Sequence, residues 1–108
     1  MFEFNEHDVC VNPNIPVQWD GKYTSVTIRT SQNKDGLWSF GESWQSSKNG
    51  YCGCGCPCVS TNAEYHSEKD AIIACIDKLK DRLKFDKEAV SKLDEIKGGF
   101  IFVQQSLF

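Results

Sequence analysis

The feature that most constrains the fold is a run in which cysteine occupies every second position. Glycine or proline fills the positions between Cys52, Cys54, Cys56 and Cys58, so the run offers few side chains that fill a core. Before it, apolar and polar residues alternate as in strands, and after it apolar residues recur at helical spacing. The run separates a strand-like part from a helix-rich part, and a length of 108 residues predicts one domain, residues 1–108.

Before the cysteine run, the pattern predicts a β-hairpin. Residues 23–30 are rich in β-branched side chains and contain neither glycine nor proline. Asp35-Gly36 is a turn signal, and residues 37–45 form the return strand. One face of the return strand should face the core because three of its four side chains are aromatic: Trp38, Phe40, Glu42 and Trp44. Residues 1–20, which two prolines interrupt, add at most a short edge strand, and residues 56–61 are a candidate third strand.

After the run, the pattern predicts two helices. Residues 67–84 begin at Ser67, a favourable N-cap, and carry an apolar stripe formed by Ile72, Cys75, Ile76, Leu79 and Leu83. A second helix is expected over residues 87–97, with Asp86 as its N-cap and Gly98-Gly99 as a stop signal. The chain is therefore predicted to be α+β, with a small antiparallel sheet of two to four strands and two helices packed on one face.

The cysteine run leaves three interpretations open. As a zinc site, its ligands would be the thiolates of Cys52, Cys54, Cys56 and Cys58. Structural zinc sites usually separate paired cysteines by about two to four residues, and an extended run would spread these four sulfurs over roughly 20 Å. The glycines would have to let the run curl, or two of its cysteines would have to combine with Cys10, His7 or His66. The alternatives are a glycine-rich loop of reduced thiols and a redox role without the usual Cys-x-x-Cys spacing.

Composition and charge narrow the classes of function. Twelve basic and fifteen acidic residues give a net charge of −3, which does not favour broad nucleic-acid binding and leaves it a minor alternative. The first residues carry acids and no long apolar run, so neither a signal peptide nor a membrane anchor is expected. The predicted compartment is the cytoplasm, where thiols stay reduced. With only two histidines and no phosphate-binding glycine loop, the chain is predicted not to be an enzyme and to need no cofactor, zinc being the alternative.

The last five residues carry the most specific motif. They resemble the pentapeptide by which many bacterial replication and repair proteins bind the DNA polymerase sliding clamp, which reads glutamine, any residue, serine or aspartate, leucine and phenylalanine. Four positions match, namely Gln104, Ser106, Leu107 and Phe108, while Gln105 departs from the commoner leucine at a tolerant position. The resemblance implies that the leucine and phenylalanine fill an apolar pocket of the partner. The alternative is that residues 100–108 form a terminal strand packed in the core.

A second resemblance covers residues 23–84. The order Asp35-Gly36-x-Trp38, a glycine and proline loop, Tyr65 and a helix of the form Ser67-x-x-x-Ala71 is similar to short uncharacterised domains carried by bacteriophages and plasmids. That similarity implies a mobile-element accessory protein without an implied reaction. The sequence thus predicts a non-enzymatic phage, prophage or plasmid protein that binds a host replication or defence protein, with the sliding clamp as the best candidate.

Overall fold

The computed structural model describes residues 1–48, 50 and 52–106, the last six through their backbone only. The elements in chain order are β1 (Asn14–Asp20), β2 (Thr24–Gln32), β3 (Trp38–Ser46), β4 (Cys52–Cys56), a short 3₁₀ turn (Ser60–Asn62), α1 (Glu68–Arg82) and α2 (Lys87–Ser106). The strands form one antiparallel sheet in the order β1-β2-β3-β4. The predicted α+β fold is therefore confirmed, with the sheet at the upper end of the expected strand number.

The predicted hairpin is β2 and β3, which pair without a register shift. Its turn depends on Gly36, whose φ of 83° lies in the left-handed region that favours glycine. The Asn33 carbonyl accepts a hydrogen bond from the Gly36 amide at 3.1 Å, and the Asn33 side chain accepts from the amides of Asp35 and Leu37. An asparagine and a glycine three positions apart thus close the hairpin through the turn chemistry that the sequence indicates.

The core lies between one face of the sheet and the two helices. In β2, Val26 and Ile28 point into it, and β3 adds Phe40 and Trp44 at its margin, as the aromatic face predicts. The helices contribute a continuous apolar surface made by Ile72, Cys75, Ile76, Leu79, Leu83, Ala89 and Leu93. Because the apolar stripe of α1 follows the helical period, one side of the helix is completely removed from water.

Both helices begin at the predicted N-caps. Ser67 accepts a hydrogen bond from the Asp70 amide at 3.1 Å, which satisfies a donor in the first turn of α1. The buried Asp86 accepts from the Ala89 amide at 3.4 Å and also from the hydroxyl of Thr24 in β2. The Thr24 oxygen lies 2.9 Å from the hydroxyl of Ser46, which continues the polar network into β3. The N-cap of α2 is therefore also the point where this helix attaches to the sheet.

The end of α2 differs from the sequence expectation. Gly98-Gly99 was expected to stop the helix near residue 97, whereas α2 continues to Ser106. Neither glycine takes a positive φ, and Phe100 packs against the core beyond them. Glycine permits a helix stop without enforcing one, at a cost of about 1 kcal/mol per residue in a helix interior. Residues 100–106 are consequently helical and not a terminal strand, and Leu107 and Phe108 lie outside the described residues.

The cysteine run also differs from the loop interpretation. Residues 52–56 form β4, because β3 presents its outer ladder to them and pairs Ser46 with Cys52 and Glu42 with Cys56. The candidate third strand over residues 56–61 is not formed. Pro57 follows β4 directly, and between it and residue 61 only Val59 makes a bridge, to Val9 near the start of the chain.

Replacing Asp86 with alanine tests the polar attachment of α2. We expect a loss of about 2–4 kcal/mol in the free energy of unfolding, since the change removes an N-cap and leaves the buried Thr24 hydroxyl without its acceptor. Urea unfolding measures this, with Asp86→Asn as the matched control, because asparagine keeps a cap oxygen and should cost less than half as much. A change below 0.5 kcal/mol for alanine, on the order of ordinary surface substitutions, would contradict the assignment.

Candidate functional site

The three cysteines of β4 share the helix-packed face of the sheet. Cys54 pairs with Trp44, which in turn pairs with Val26 in the core, and side chains of paired residues lie on the same face. Because side chains alternate between the two faces along a strand, Cys52 and Cys56 lie on the same face as Cys54. All five residues of β4 are nevertheless exposed, because α1 packs over β2 and β3 and leaves the outermost strand uncovered. The result is a row of three accessible thiols about 7 Å apart along one edge of the sheet.

The glycines of β4 lie on the opposite face. Gly55 lines a depression of about 350 Å³ beside Arg29, which donates a hydrogen bond to the Ser43 hydroxyl at 2.8 Å. Cys10 and Cys58 form part of its wall. The two faces of the edge thus differ: one carries thiols, and the other a shallow hollow with one guanidinium.

Beyond β4 the chain crosses to this second face over Gly41. A Cβ atom at Gly41 would lie 2.6 Å from the Cys56 carbonyl oxygen and 2.7 Å from the Cys58 amide nitrogen, so only glycine fits beneath the crossing. The crossing buries Cys58, whose carbonyl accepts from the Cys10 amide at 2.9 Å. Cys58 therefore belongs to a buried cluster with Cys10 and not to the exposed row.

Burial controls the acidity of the inner thiols. Desolvation raises the pKa of Cys58 from 9.0 to about 11, against the opposing effect of the nearby Ser31 side chain. Burial raises the pKa of Cys75 in α1 further still, and the nearby Glu42 carboxylate adds to the effect. Because the thiolate is the reactive form, both side chains are chemically inert at neutral pH.

A buried acid lies beside the cysteine row. Glu42 is 3% exposed, and its Oε1 atom lies 2.8 Å from Nζ of Lys78 in α1. Within the described residues, its Oε2 atom has no hydrogen-bond partner. Hydrogen bonding to Glu42 raises the pKa of Lys78, so the lysine stays protonated through neutral pH. The sequence signal for this pair was a lone acid among three aromatic side chains, but its lysine partner is set by packing.

The four predicted zinc ligands do not converge. Cys52, Cys54 and Cys56 lie on one face of the sheet, while Cys58 is buried with groups of the other face. Cys52 and Cys56 are also separated by about 13 Å of strand, whereas thiolates on one zinc ion each bind at about 2.3 Å. In the described ranges, no group of three or more cysteine, histidine or acidic side chains is arranged to hold a metal ion. These residues therefore do not fit a single four-thiolate site.

The predicted partner-binding residues fall at the end of α2. Gln104 and Ser106 lie in its last turns, and Leu107 and Phe108 lie outside the described residues. Among the described side chains of α2, those that pack in the core are Ala89, Leu93, Ile96 and Phe100. The part of α2 that follows Gly98-Gly99 thus contributes one described side chain to the core, that of Phe100.

Comparison of the chain with protein-family models, with curated protein sequences and with solved structures gave no match. Of the helices in the described ranges, none combines the length and apolar character needed to cross a membrane.

Thiol alkylation tests the division between exposed and buried cysteines. With iodoacetamide at pH 8 and native conditions, we expect rapid modification at Cys52, Cys54 and Cys56, since all three are exposed. Cys58 and Cys75 should react at least about 100-fold more slowly, because burial hides them and suppresses their thiolates. Mass spectrometry of peptides from timed samples measures the rates, and a fully unfolded sample serves as the control. Rapid labelling of Cys58 in the folded protein would contradict the structure.

The buried thiols also predict a loss of stability in alkali. An unfolded thiol releases its proton near pH 8.5, whereas Cys58 and Cys75 hold theirs in the folded chain to higher pH. Their stabilising contribution is therefore complete below about pH 8.5 and is lost as pH rises through the folded pKa. Lys78, whose pKa is also raised, acts in the same direction at higher pH.

Urea unfolding of the reduced protein at pH 8 and pH 10 measures this loss. The free energy of unfolding should fall between the two pH values in both proteins. The fall in Cys75→Ala should be about 1–2 kcal/mol smaller than in the unmodified chain, because one of the titrating thiols is absent. Comparing each variant with itself at the two pH values removes the packing cost of the substitution. An equal drop in both proteins would show that Cys75 does not hold its proton as described.

Proposed function

We propose that the chain is a non-enzymatic accessory protein of a phage, prophage or plasmid that acts by binding a host protein through residues 104–108. The best candidate partner is the DNA polymerase sliding clamp of a bacterial host. The observation that carries the proposal is the pentapeptide Gln104-Gln105-Ser106-Leu107-Phe108, which matches the clamp-binding pattern at four positions. Leucine and phenylalanine are suited to fill an apolar pocket, and the glutamine side chain can fix the register by hydrogen bonding.

The composition of α2 supports access to this segment. Gly98 and Gly99 weaken the helix, and among the described residues a Cβ atom at either position would meet nothing within 4 Å, so the glycine face of the helix is open. The stretch from residue 100 to Ser106 is about two turns long, which is far below the length at which an isolated helix is stable in water. Unwinding the end of α2 to present an extended peptide therefore carries a small free-energy cost.

The remaining features agree with a binding role better than with catalysis. Among the described residues, the buried thiols of Cys58 and Cys75 are unreactive at neutral pH because their pKa values are raised. The buried acid Glu42 is paired with Lys78. A net charge of −3 gives no general attraction to nucleic acid.

Clamp binding is tested with purified sliding clamp from a bacterium, by calorimetry or biolayer interferometry. We expect the double variant Leu107→Ala, Phe108→Ala to bind at least about 30-fold more weakly, as is usual when a central apolar anchor is removed. Gln105→Ala is the matched control, because this position of the motif is tolerant, and its affinity should stay within about twofold of the unmodified chain.

A thermal melt of each variant separates binding from folding. On this proposal Leu107 and Phe108 act in the partner's pocket and not in the core, so the double variant should melt within a few degrees of the unmodified chain. Equal affinity in all three proteins, or absence of clamp binding by the unmodified chain, would overturn the clamp proposal. A large fall in melting temperature would instead favour a structural role for residues 104–108.

A further inference from the structure

The two edges of the sheet are built differently. At one edge, β1 contains Pro16, follows Pro13 and shifts its register between Asn14 and Val17, and these are features that discourage further strand pairing. At the other edge, β4 has five exposed residues, none of them charged and none of them proline. In the part of the chain that the structure describes, no strand pairs with its outer side. This edge is therefore open to a further strand.

The hydrogen bonds of the hairpin show which backbone groups face that open side. The Ser47 amide donates to the Tyr23 carbonyl, and the Asn33 amide donates to the Leu37 carbonyl. Residues along an antiparallel strand direct their N–H and C=O groups alternately to the two sides. The odd-numbered positions of β3 thus bond to β2, and its even-numbered positions bond to β4.

The register then assigns the groups of β4. Its cysteines pair with even-numbered residues of β3, so their N–H and C=O groups are used inside the sheet. Gly53 and Gly55 consequently direct one amide and one carbonyl each toward the open side. Pro57, the next residue with this orientation, has no amide hydrogen and limits the edge at that end.

The open strand is complementary to itself. The sequence Cys-Gly-Cys-Gly-Cys reads the same in both directions. If a second copy pairs antiparallel about a two-fold axis at Cys54, Gly53 of each copy faces Gly55 of the other, and their four amides and four carbonyls form four hydrogen bonds. Cysteine meets cysteine at the other positions, with no charge opposed to a like charge and no bulky side chain to accommodate.

We propose that β4 is a self-association edge through which two copies of this chain form one continuous eight-stranded antiparallel sheet. An isologous pairing of this kind satisfies a closed two-fold symmetry and leaves no further open edge. Because the axis is perpendicular to the sheet, the cysteines of both copies lie on the same, helix-packed face.

The pairing brings the exposed thiols into reach of one another. Cys54 faces its own equivalent, and Cys52 faces Cys56 of the second copy. These are positions without hydrogen bonds between the facing residues, where Cα atoms lie about 4.5 Å apart, within the range that a disulfide spans. A ladder of five residues is small beside the 1,200–2,000 Å² typical of stable interfaces, so the reduced dimer is expected to be weak and reversible. Oxidation of a facing pair would make it permanent.

Single-cysteine variants of the row test the register. Three proteins retain only Cys54, only Cys52 or only Cys56 within β4, with serine at the other two positions and the buried cysteines unchanged. Each is treated with oxidised glutathione, so that two thiols give up two protons and two electrons to form one disulfide while one glutathione disulfide becomes two glutathione thiols. Dimer formation over time is read on non-reducing gels.

The proposal predicts a specific pattern among these proteins. The Cys54 protein should cross-link to itself at least tenfold faster than either of the others, because its equivalent thiols face each other. The Cys52 and Cys56 proteins should cross-link rapidly only when mixed, since in the pair Cys52 is about 13 Å from its own equivalent. Similar rates in all three separate proteins, or no dimer in any, would overturn the proposal.

A backbone substitution tests the association without oxidation. Gly55→Pro removes an outward amide, whereas Gly55→Ala keeps it and adds the same Cβ atom, which would lie 3.3 Å from the Ser43 hydroxyl. In reducing buffer, sedimentation equilibrium should give a dimer dissociation constant at least tenfold weaker for proline than for alanine, with melting temperatures that agree within a few degrees. Equal constants, or a monomer at every concentration of the unmodified chain, would refute self-association through β4.

Discussion

The fold depends on the contact between β2 and α1. In β2, Val26 and Ile28 are buried in the same core cluster as Ile76 and Leu79 of α1, and each such side chain contributes about 1.5–3 kcal/mol when it is removed from water. The central position of β2 in the sheet then determines the places of both neighbouring strands. Because α1 is centred over β2 and β3, the sheet can extend beyond the helix layer on one side. The exposed cysteine row is a consequence of that offset.

Two buried carboxylates, those of Asp86 and Glu42, lie within or beside this apolar core. Asp86 caps α2 and holds it to β2 through Thr24, so that one carboxylate determines where the second helix starts and what it contacts. Glu42 meets Lys78 at the margin of the core, where the lysine head also lies over the Phe40 ring. Both acids are buried and both have partners on another element, which is how a small domain tolerates charge inside its core.

Local sequence chemistry accounts for most of the fold. The alternation in β2 and β3, the Asn33 and Gly36 turn and the N-cap at Ser67 were all predictable, since each depends on neighbours within a few residues. The strand at residues 52–56 was not predictable, because its composition is poor in strand formers and β3 supplies the pairing. The continuation of α2 past Gly98 was missed for a related reason, as glycine allows several conformations and packing selects among them.

For the candidate sites, too, some features were predictable from the sequence and others depend on packing. The thiol row was visible as a pattern, but its face, its exposure and the separation of Cys58 from it all follow from register and from the crossing over Gly41. The clamp-like pentapeptide was visible from its residue types alone. The pair formed by Glu42 and Lys78 joins residues 36 positions apart, and only the packing of α1 on β3 brings them together.

The crossing over Gly41 also removes an ambiguity that the cysteine run would otherwise create. A strand in which two residue types alternate looks the same to its neighbour after a slip of two positions, so side-chain pattern cannot hold β4 in place. If β4 slipped by two positions, the backbone of residues 56–58 would cross over Ser39 or Ser43 instead of Gly41. The Cβ atom of either serine would then collide with that backbone, which lies within 3 Å of the Cβ position of Gly41. Gly41, in the middle of β3, therefore determines the register in which β4 pairs with β3.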